Sequence, residues 1–245
     1  MYSTVLIKRA FMIAILSPVV FSMGCQNRPA GQEEKQDGWQ DLFDGKTLNG
    51  WKIEGGEADF YVEDSMIVCN TKLDIGGGYL VTERSYDNFI LELDVKIDTS
   101  LNSGVQCRSR KWEKDTITSY VAGDPEGTVH QSKWEEGSVW GYQIEVDPSE
   151  RAWSGGLYEP GNRGWIVTLA NNEPARESFR PMDWNHFKIV MNDNRIQTWV
   201  NGVLAVDVID EMSASGFIGF QFHQAYREWQ VDKKVLWKNI RIKEL

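Results

Sequence analysis

Three stretches of the sequence alternate apolar residues with polar ones of the kinds that orient hydroxyl groups and move protons. Gln106 and Arg108 flank Cys107. Gln143, Glu145 and Asp147 alternate with Tyr142, Ile144 and Val146, and Gln221 and His223 alternate with Phe220 and Phe222. Strand side chains switch faces at every residue, so each polar set stands together on the side away from the core. If the three strands are neighbours in one curved sheet, they present a concave face bearing an arginine, two carboxylates, a histidine and amides. A merely solvated face alternates too, but it would draw freely on Lys, Glu, Thr and Ser. The composition here favours a site for a hydroxyl-rich ligand with proton transfer.

Other candidates carry less. His130 lies in a long loop that could reach the same face, whereas His186, in Trp184-Asn185-His186-Phe187, reads as a surface residue at a strand start. No two histidines have metal-ligand spacing and no cysteine cluster exists, which argues against a zinc site of the usual kind. No cofactor is expected; a hard divalent cation held by Glu145, Asp147 and loop carbonyls stays open. Gly76-Gly77-Gly78 leads into a strand and not a helix, so it is no phosphate cradle. Glu145-Val146-Asp147-Pro148-Ser149-Glu150 has the E-x-D-x-x-E spacing of one class of retaining β-glucanase. Retention needs carboxyls ~5 Å apart, and Pro148, by ending the strand, turns Glu150 away from Glu145.

The elements that must position these residues are strands. Asn88 to Asp98 sets Phe89, Leu91, Leu93, Val95 and Ile97 against Glu92, Asp94 and Lys96, a half-buried strand. Similar runs occur at 59–69, 103–110, 139–147, 185–191, 195–200, 203–208, 216–223 and 235–243. Asn201-Gly202 is a strong two-residue hairpin signal, and Asn192-Asp193-Asn194 closes the preceding pair. Helical periodicity is nearly absent. Many antiparallel strands without crossover helices predict an all-β jelly-roll sandwich of two antiparallel sheets. The eleven tryptophans are divided between its core and a ligand groove. Lys111 to Ser138 and Pro148 to Gly164 are too long and irregular to be mere connections and are candidate walls of a site.

At the N-terminus, Lys8 and Arg9 precede an apolar run from Ala10 to Phe21, then Ser22, Gly24 and Cys25. That order predicts a lipoprotein-type signal over residues 1–24, with Cys25 as the acylated N-terminus of an exported protein. The polar stretch 25–37 reads as a flexible tether and the folded domain as 38–245. The protein would then be held in a bacterial cell envelope, periplasmic or at the surface, touching membrane only through the lipid. Loss of Lys8 and Arg9 takes the formal charge from −10 to −12, which repels nucleic acid. Cys69 and Cys107 read as buried free thiols.

Several segments together resemble a known family. Trp39-Gln40-Asp41-Leu42-Phe43-Asp44-Gly45-Lys46-Thr47-Leu48-Asn49-Gly50-Trp51 is similar to the opening of the 3-keto-disaccharide hydrolase domain family. Residues 79–83, 102–109, 141–147, 155–158 and 238–243 agree with it in order. Cys107, where an aromatic is usual, and the 111–138 insertion depart from it. The resemblance implies a concanavalin A-like jelly roll and cleavage of glycosides already oxidised to a ketone at C3. Proton abstraction from C2 would then be followed by loss of the C1 substituent. The face would supply Glu145 or Asp147 as base, Arg108 or a cation as enolate stabiliser, and His223 as acid or sugar-orienting donor. Gln106, Gln143 and Gln221 would bind the carbohydrate, with Glu83 and Tyr158 added by the motif match. A retaining glycosidase using Glu145 and Glu150, and a lectin-like module without chemistry, are the alternatives.

Overall fold

The period-two patterns fold as strands in the computed structural model, which describes residues 38–73, 76–121 and 129–245. The signal, Cys25 and the tether lie outside the described residues. In chain order the first strands are β1 Trp39–Asp41, β2 Trp51–Glu54, β3 Phe60–Glu63, β4 Met66–Asn70, β5 Gly78–Thr82 and β6 Phe89–Ile97. They are followed by β7 Ser103–Lys111, β8 Thr116–Val121, β9 Val129–Trp134, β10 Val139–Val146, β11 Leu157–Glu159 and β12 Gly164–Val167. A short helix, α1 Glu173–Ser178, precedes β13 Asn185–Asn192, β14 Arg195–Val200, β15 Val203–Ile209, β16 Phe217–Phe222 and β17 Lys234–Glu244.

Two antiparallel sheets form a jelly-roll sandwich. The first has the order β15-β14-β13-β6-β17-β4-β3 with β1 also on β17, and the second β12-β11-β10-β7-β16-β5-β2. Strand β6 buries Phe89, Leu91, Leu93, Val95 and Ile97 and half-exposes the residues between, the arrangement that one wet face demands. Across the core, Trp51 and Phe220 of the second sheet stack at 5.2 Å, and Phe220 stacks on Trp237 of the first at 5.1 Å. Cys69 and Cys107 are free thiols in this core, where burial pushes both thiol pKa values up.

The second sheet departs from the one-wet-face pattern. Strand β7 is buried at every position from Ser103 to Ser109, and β10 from Gly141 to Val146. Its outer face is therefore covered as well as its inner one, so the polar residues there are enclosed with whatever partners they can find.

Four sequence expectations change. Residues 59–69 form not one strand but the β3–β4 hairpin, whose Asp64-Ser65 turn uses two left-handed residues. The 111–138 segment carries the β8–β9 ribbon; residues 122–128 lie outside the described ones. Helix α1, capped by Asn172, is under two turns and too short to leave a periodic signal.

The fourth change moves a predicted site residue. The registers of β7 slip around Arg108, between Gln106 and Ser109 against β16 and between Cys107 and Arg110 against β10, and Arg108 sits in the bulge with φ +48°. The extra residue reverses the alternation. Arg108 therefore points not outward beside Gln106 but to one end of the first sheet, at the start of β6 and the β13–β14 turn, where it is 1% exposed. Its Nε donates to the Asp87 carbonyl at 2.5 Å, Nη1 to the Asp193 carbonyl at 2.7 Å and Nη2 to Asn88 Oδ1 at 2.8 Å. Arg108 ties the sheets together. Arg108→Met should lower unfolding stability by roughly 3 kcal/mol, because the Asp87 and Asp193 carbonyls lose the guanidinium and Asn88 Oδ1 keeps only the Asp193 N–H. Urea denaturation checks this, and a loss below ~0.5 kcal/mol, the scale of an ordinary surface change, would refute the role.

Candidate active site

Register decides what stands beside what on the outer face of the second sheet. The pairs Glu54↔Tyr79, Tyr79↔Gln221 and Gly104↔Glu145 define one row, since the β16–β7 register carries Gln221 opposite Gly104. A second row runs Val81, Gly219, Gln106, Gln143 and Tyr158. Two residues further along the same registers, His223, Asn102 and Asp147 make a third. Opposed side chains in such rows lie ~5 Å apart. The structure thus gathers Gln106, Gln143, Glu145, Asp147, Tyr158, Gln221 and His223 on adjacent strands of one face.

The two carboxylates form its centre. Glu145 is 4% and Asp147 3% exposed. Glu145 Oε1 accepts from Asn102 Nδ2 at 2.8 Å and Arg151 Nη2 at 3.3 Å, and Oε2 accepts from Gln143 Nε2 at 2.9 Å. Asp147 Oδ2 accepts from Arg151 Nε at 2.7 Å and Oδ1 from the Ser149 backbone N–H at 3.1 Å. Pro148 ends the strand, and the turn behind it returns Arg151 four residues on, between the two acids. The guanidinium also lies over the rings of Trp153 and Trp165, 4.8 and 5.1 Å from their centroids. Trp165 in turn meets Tyr158 edge-on at 5.2 Å.

Environment separates the two acids. Burial raises the Glu145 pKa above the ordinary glutamate range, against the opposing pull of Asn102, Gln143 and Arg151. Burial would raise Asp147 too, but its hydrogen bonds from Ser149 and the Arg151 charge outweigh it and hold the pKa low. Two acids of divergent proton affinity are what acid–base chemistry requires. Burial also lowers the His223 pKa, keeping its imidazole neutral at pH 7. Tyr79, beside Gln221, is pushed up to about 12, chiefly by burial. Gln221 Oε1 is buried without a hydrogen-bond partner among the described residues.

Other predicted residues stand elsewhere. Arg108 is committed to the end of the first sheet. Glu83 is exposed four residues along from Tyr79, ~13 Å away at strand rise, because the chain passes the end of β5 there. His130 is exposed on β9, outside both large sheets. His186 is a surface residue whose Nδ1 lies 2.9 Å from Asp94 Oδ1. Glu150 is exposed on the turn, and the place opposite Glu145 belongs to Arg151. Arg151 likewise stands where a cation bridging the acids would sit, and the described residues contain no cluster of three metal-ligating side chains.

The residues missed by alternation are Asn102, Ser109 and Arg151. Asn102 shares the parity of Gln106 one residue before β7, and its motif position could have found it. Ser109 reaches the outer face only through the bulge. Arg151 belongs to a turn, where no period applies; the i, i+4 interval from Asp147 is its one signal.

Comparison with known proteins agrees with the fold and adds a family. The chain is 35% identical over 77 residues to a 3-keto-disaccharide hydrolase of Bacteroides thetaiotaomicron, a stretch covering 28% of this chain and 27% of that protein. It thus spans about a quarter of that relative's length. A "putative glycosyl hydrolase" from Parabacteroides distasonis superposes with a TM-score of 0.54 at 20% identity, covering 88% of this chain and 97% of that one. A Bacillus subtilis protein of unknown function with a galectin-like fold gives 0.54 at 12% identity, over 80% and 90%. At these identities both likenesses concern the fold. The model of one domain family matches residues 38–243, from the start of the first sheet to the last strand, and the chain belongs to that family, described as the 3-keto-alpha-glucoside-1,2-lyase-like domain.

Proposed function

We propose that this protein cleaves 3-keto-glycosides by taking the proton from C2 and expelling the C1 substituent. Family membership supports the substrate class. The observation that carries the chemistry is the buried pair Glu145 and Asp147, of divergent proton affinity, joined by the partly exposed guanidinium of Arg151.

A ketone at C3 acidifies C2–H, because the electron pair left behind is delocalised onto the ketone oxygen. Glu145 takes the proton; a raised pKa makes its carboxylate a stronger base. Arg151 faces the developing enolate oxygen and replaces the Arg108 expected for that task. The enolate collapses, C1–O breaks, and the departing oxygen, hydrogen-bonded to neutral His223, takes a proton from water. The hydroxide that remains adds to C1 of the enone while Glu145 returns its proton to C2. Without that addition the reaction stops as a lyase. Trp153 and Trp165, packed against the Arg151 guanidinium, supply apolar surface for the sugar beside the acids.

The test compares a 3-keto glucoside with its unoxidised parent. Release of the aglycone from the keto sugar alone is expected, and Glu145→Gln should reduce it by about 10³-fold. Cleavage of the parent sugar instead would favour the retaining-glycosidase alternative, and binding of either sugar without turnover a lectin-like module.

Arg151→Met should lower kcat/KM by about 10²- to 10³-fold and move the acidic limb of the pH profile upward, since Glu145 loses its positive neighbour. Equal activity in this variant would remove Arg151 from the mechanism.

In the unaltered protein the acidic limb of kcat/KM should stand above the ordinary glutamate value of about 4.3. Activity is lost as pH falls through the raised Glu145 pKa, where the base becomes protonated. A limb at or below that value would assign the base elsewhere.

A further inference from the structure

Behind Glu145, three polar side chains lie too deep to meet a ligand. Ser109 and Gln106 are 0% and Gln143 2% exposed. We propose that Ser109, Gln106 and Gln143 form a one-way hydrogen-bond relay ending on Glu145, in which Ser109 and Gln106 are positioning residues that set the basicity of the carboxylate and not sugar-binding groups. The inference rests on the reading of Glu145 as the base.

The links are short and sequential. Ser109 Oγ donates to Gln106 Oε1 at 2.8 Å, Gln106 Nε2 to Gln143 Oε1 at 2.6 Å, and Gln143 Nε2 to Glu145 Oε2 at 2.9 Å. The direction is dictated from the acidic end. An ionised carboxylate only accepts, so Gln143 must turn its NH₂ toward Glu145, which leaves its carbonyl toward Gln106. Gln106 must then donate in turn, and its own carbonyl faces the one group that can supply a proton, the Ser109 hydroxyl. Every amide dipole consequently points its positive end toward Glu145, and bonds in such a chain polarise one another in a low-dielectric interior.

Space for the relay is built into the sheet. A Cβ at Gly104 would lie 2.5 Å from the Gln143 side chain, and one at Gly141, φ +124°, 2.7 Å from Ser109 Oγ. The β7 bulge that removes Arg108 from the face is also what delivers Ser109 to it. The charged groups facing Glu145 are Arg151, from the turn, and Asp147, from the end of β10. Neighbouring strands add Tyr79, Tyr158, Gln221 and His223.

Removing a link should destabilise the carboxylate and raise its pKa, more so the nearer the link. The measurement is a substrate-free ¹³C NMR titration of the glutamate side-chain carboxyls in the full protein, with the Glu145 signal identified by its loss in Glu145→Gln. Ser109→Ala should raise the Glu145 midpoint by about 0.3 to 0.5 unit and Gln106→Met by about one unit, both with melting temperatures near that of the parent. Unchanged midpoints in folded variants would overturn the relay. So would a lowered midpoint in either. Should Gln106→Met not fold, Ser109→Ala alone decides, because it deletes a single oxygen at the far end. The titration needs no turnover, so it is independent of the proposed reaction, which fails separately if Glu145→Gln still cleaves the keto sugar.

Discussion

A charged carboxylate can be kept out of water only where its lone pairs are answered by donors, and much of the second sheet is arranged to meet that demand. Glu145 is almost wholly enclosed, and an unpaired acid there would cost several kcal/mol or give up its charge. Asn102 approaches from the chain before β7, Gln143 from the same strand and Arg151 from the turn behind Pro148. The donors come from separate elements, so the site exists only when the sheet, the β6–β7 connection and the turn are all in place. Asp147 repeats the logic with the Ser149 N–H and the same guanidinium.

The β7 bulge shows how one extra residue serves both layers. Without it, Arg108 would stand beside Gln106 with a charge that answers Glu145 from behind and competes with Arg151. With it, Arg108 crosses to the Asp87–Asn88 and Asp193 segments and ties the first sheet to the second. Ser109, small and neutral, takes the vacated outer position. A left-handed arginine is uncommon and strained. Three hydrogen bonds to the segments at the end of the first sheet are the compensation.

The same bulge marks where sequence reasoning stops. Alternation finds β6, both ends of β10 and the Asn201-Gly202 hairpin, because a period of two and turn chemistry are local properties. It places Gln143, Glu145, Asp147, Gln221 and His223 on their strands' outer faces for the same reason. That these strands are neighbours is a matter of pairing, which no single strand encodes. A bulge is invisible in composition, so Arg108 is misassigned by parity alone. Arg151 lies in a turn, where side-chain direction follows from the path of the backbone and not from a period. The alternation likewise cannot say that the outer face is covered. Gln106 therefore reads as a ligand-facing amide, although the structure gives it to Ser109 and Gln143.

Placement of the acids also bears on which chemistry suits the face. A glycosidase that displaces at C1 directly needs two carboxyl groups flanking the bond, one to protonate the leaving oxygen and one on the other side of the ring. Glu145 and Asp147 are two residues apart on one strand, project from the same face and share Arg151. Arg151 occupies the gap between them, and Glu150, the second glutamate of the glucanase spacing, is out on the turn. The one-sided arrangement of a carboxylate and an adjacent cation suits the proposed reaction, in which the decisive event is removal of a single proton next to a carbonyl. There the charge that develops on oxygen lies close to the proton being removed, and one guanidinium can answer the carboxylate before the step and the enolate after it.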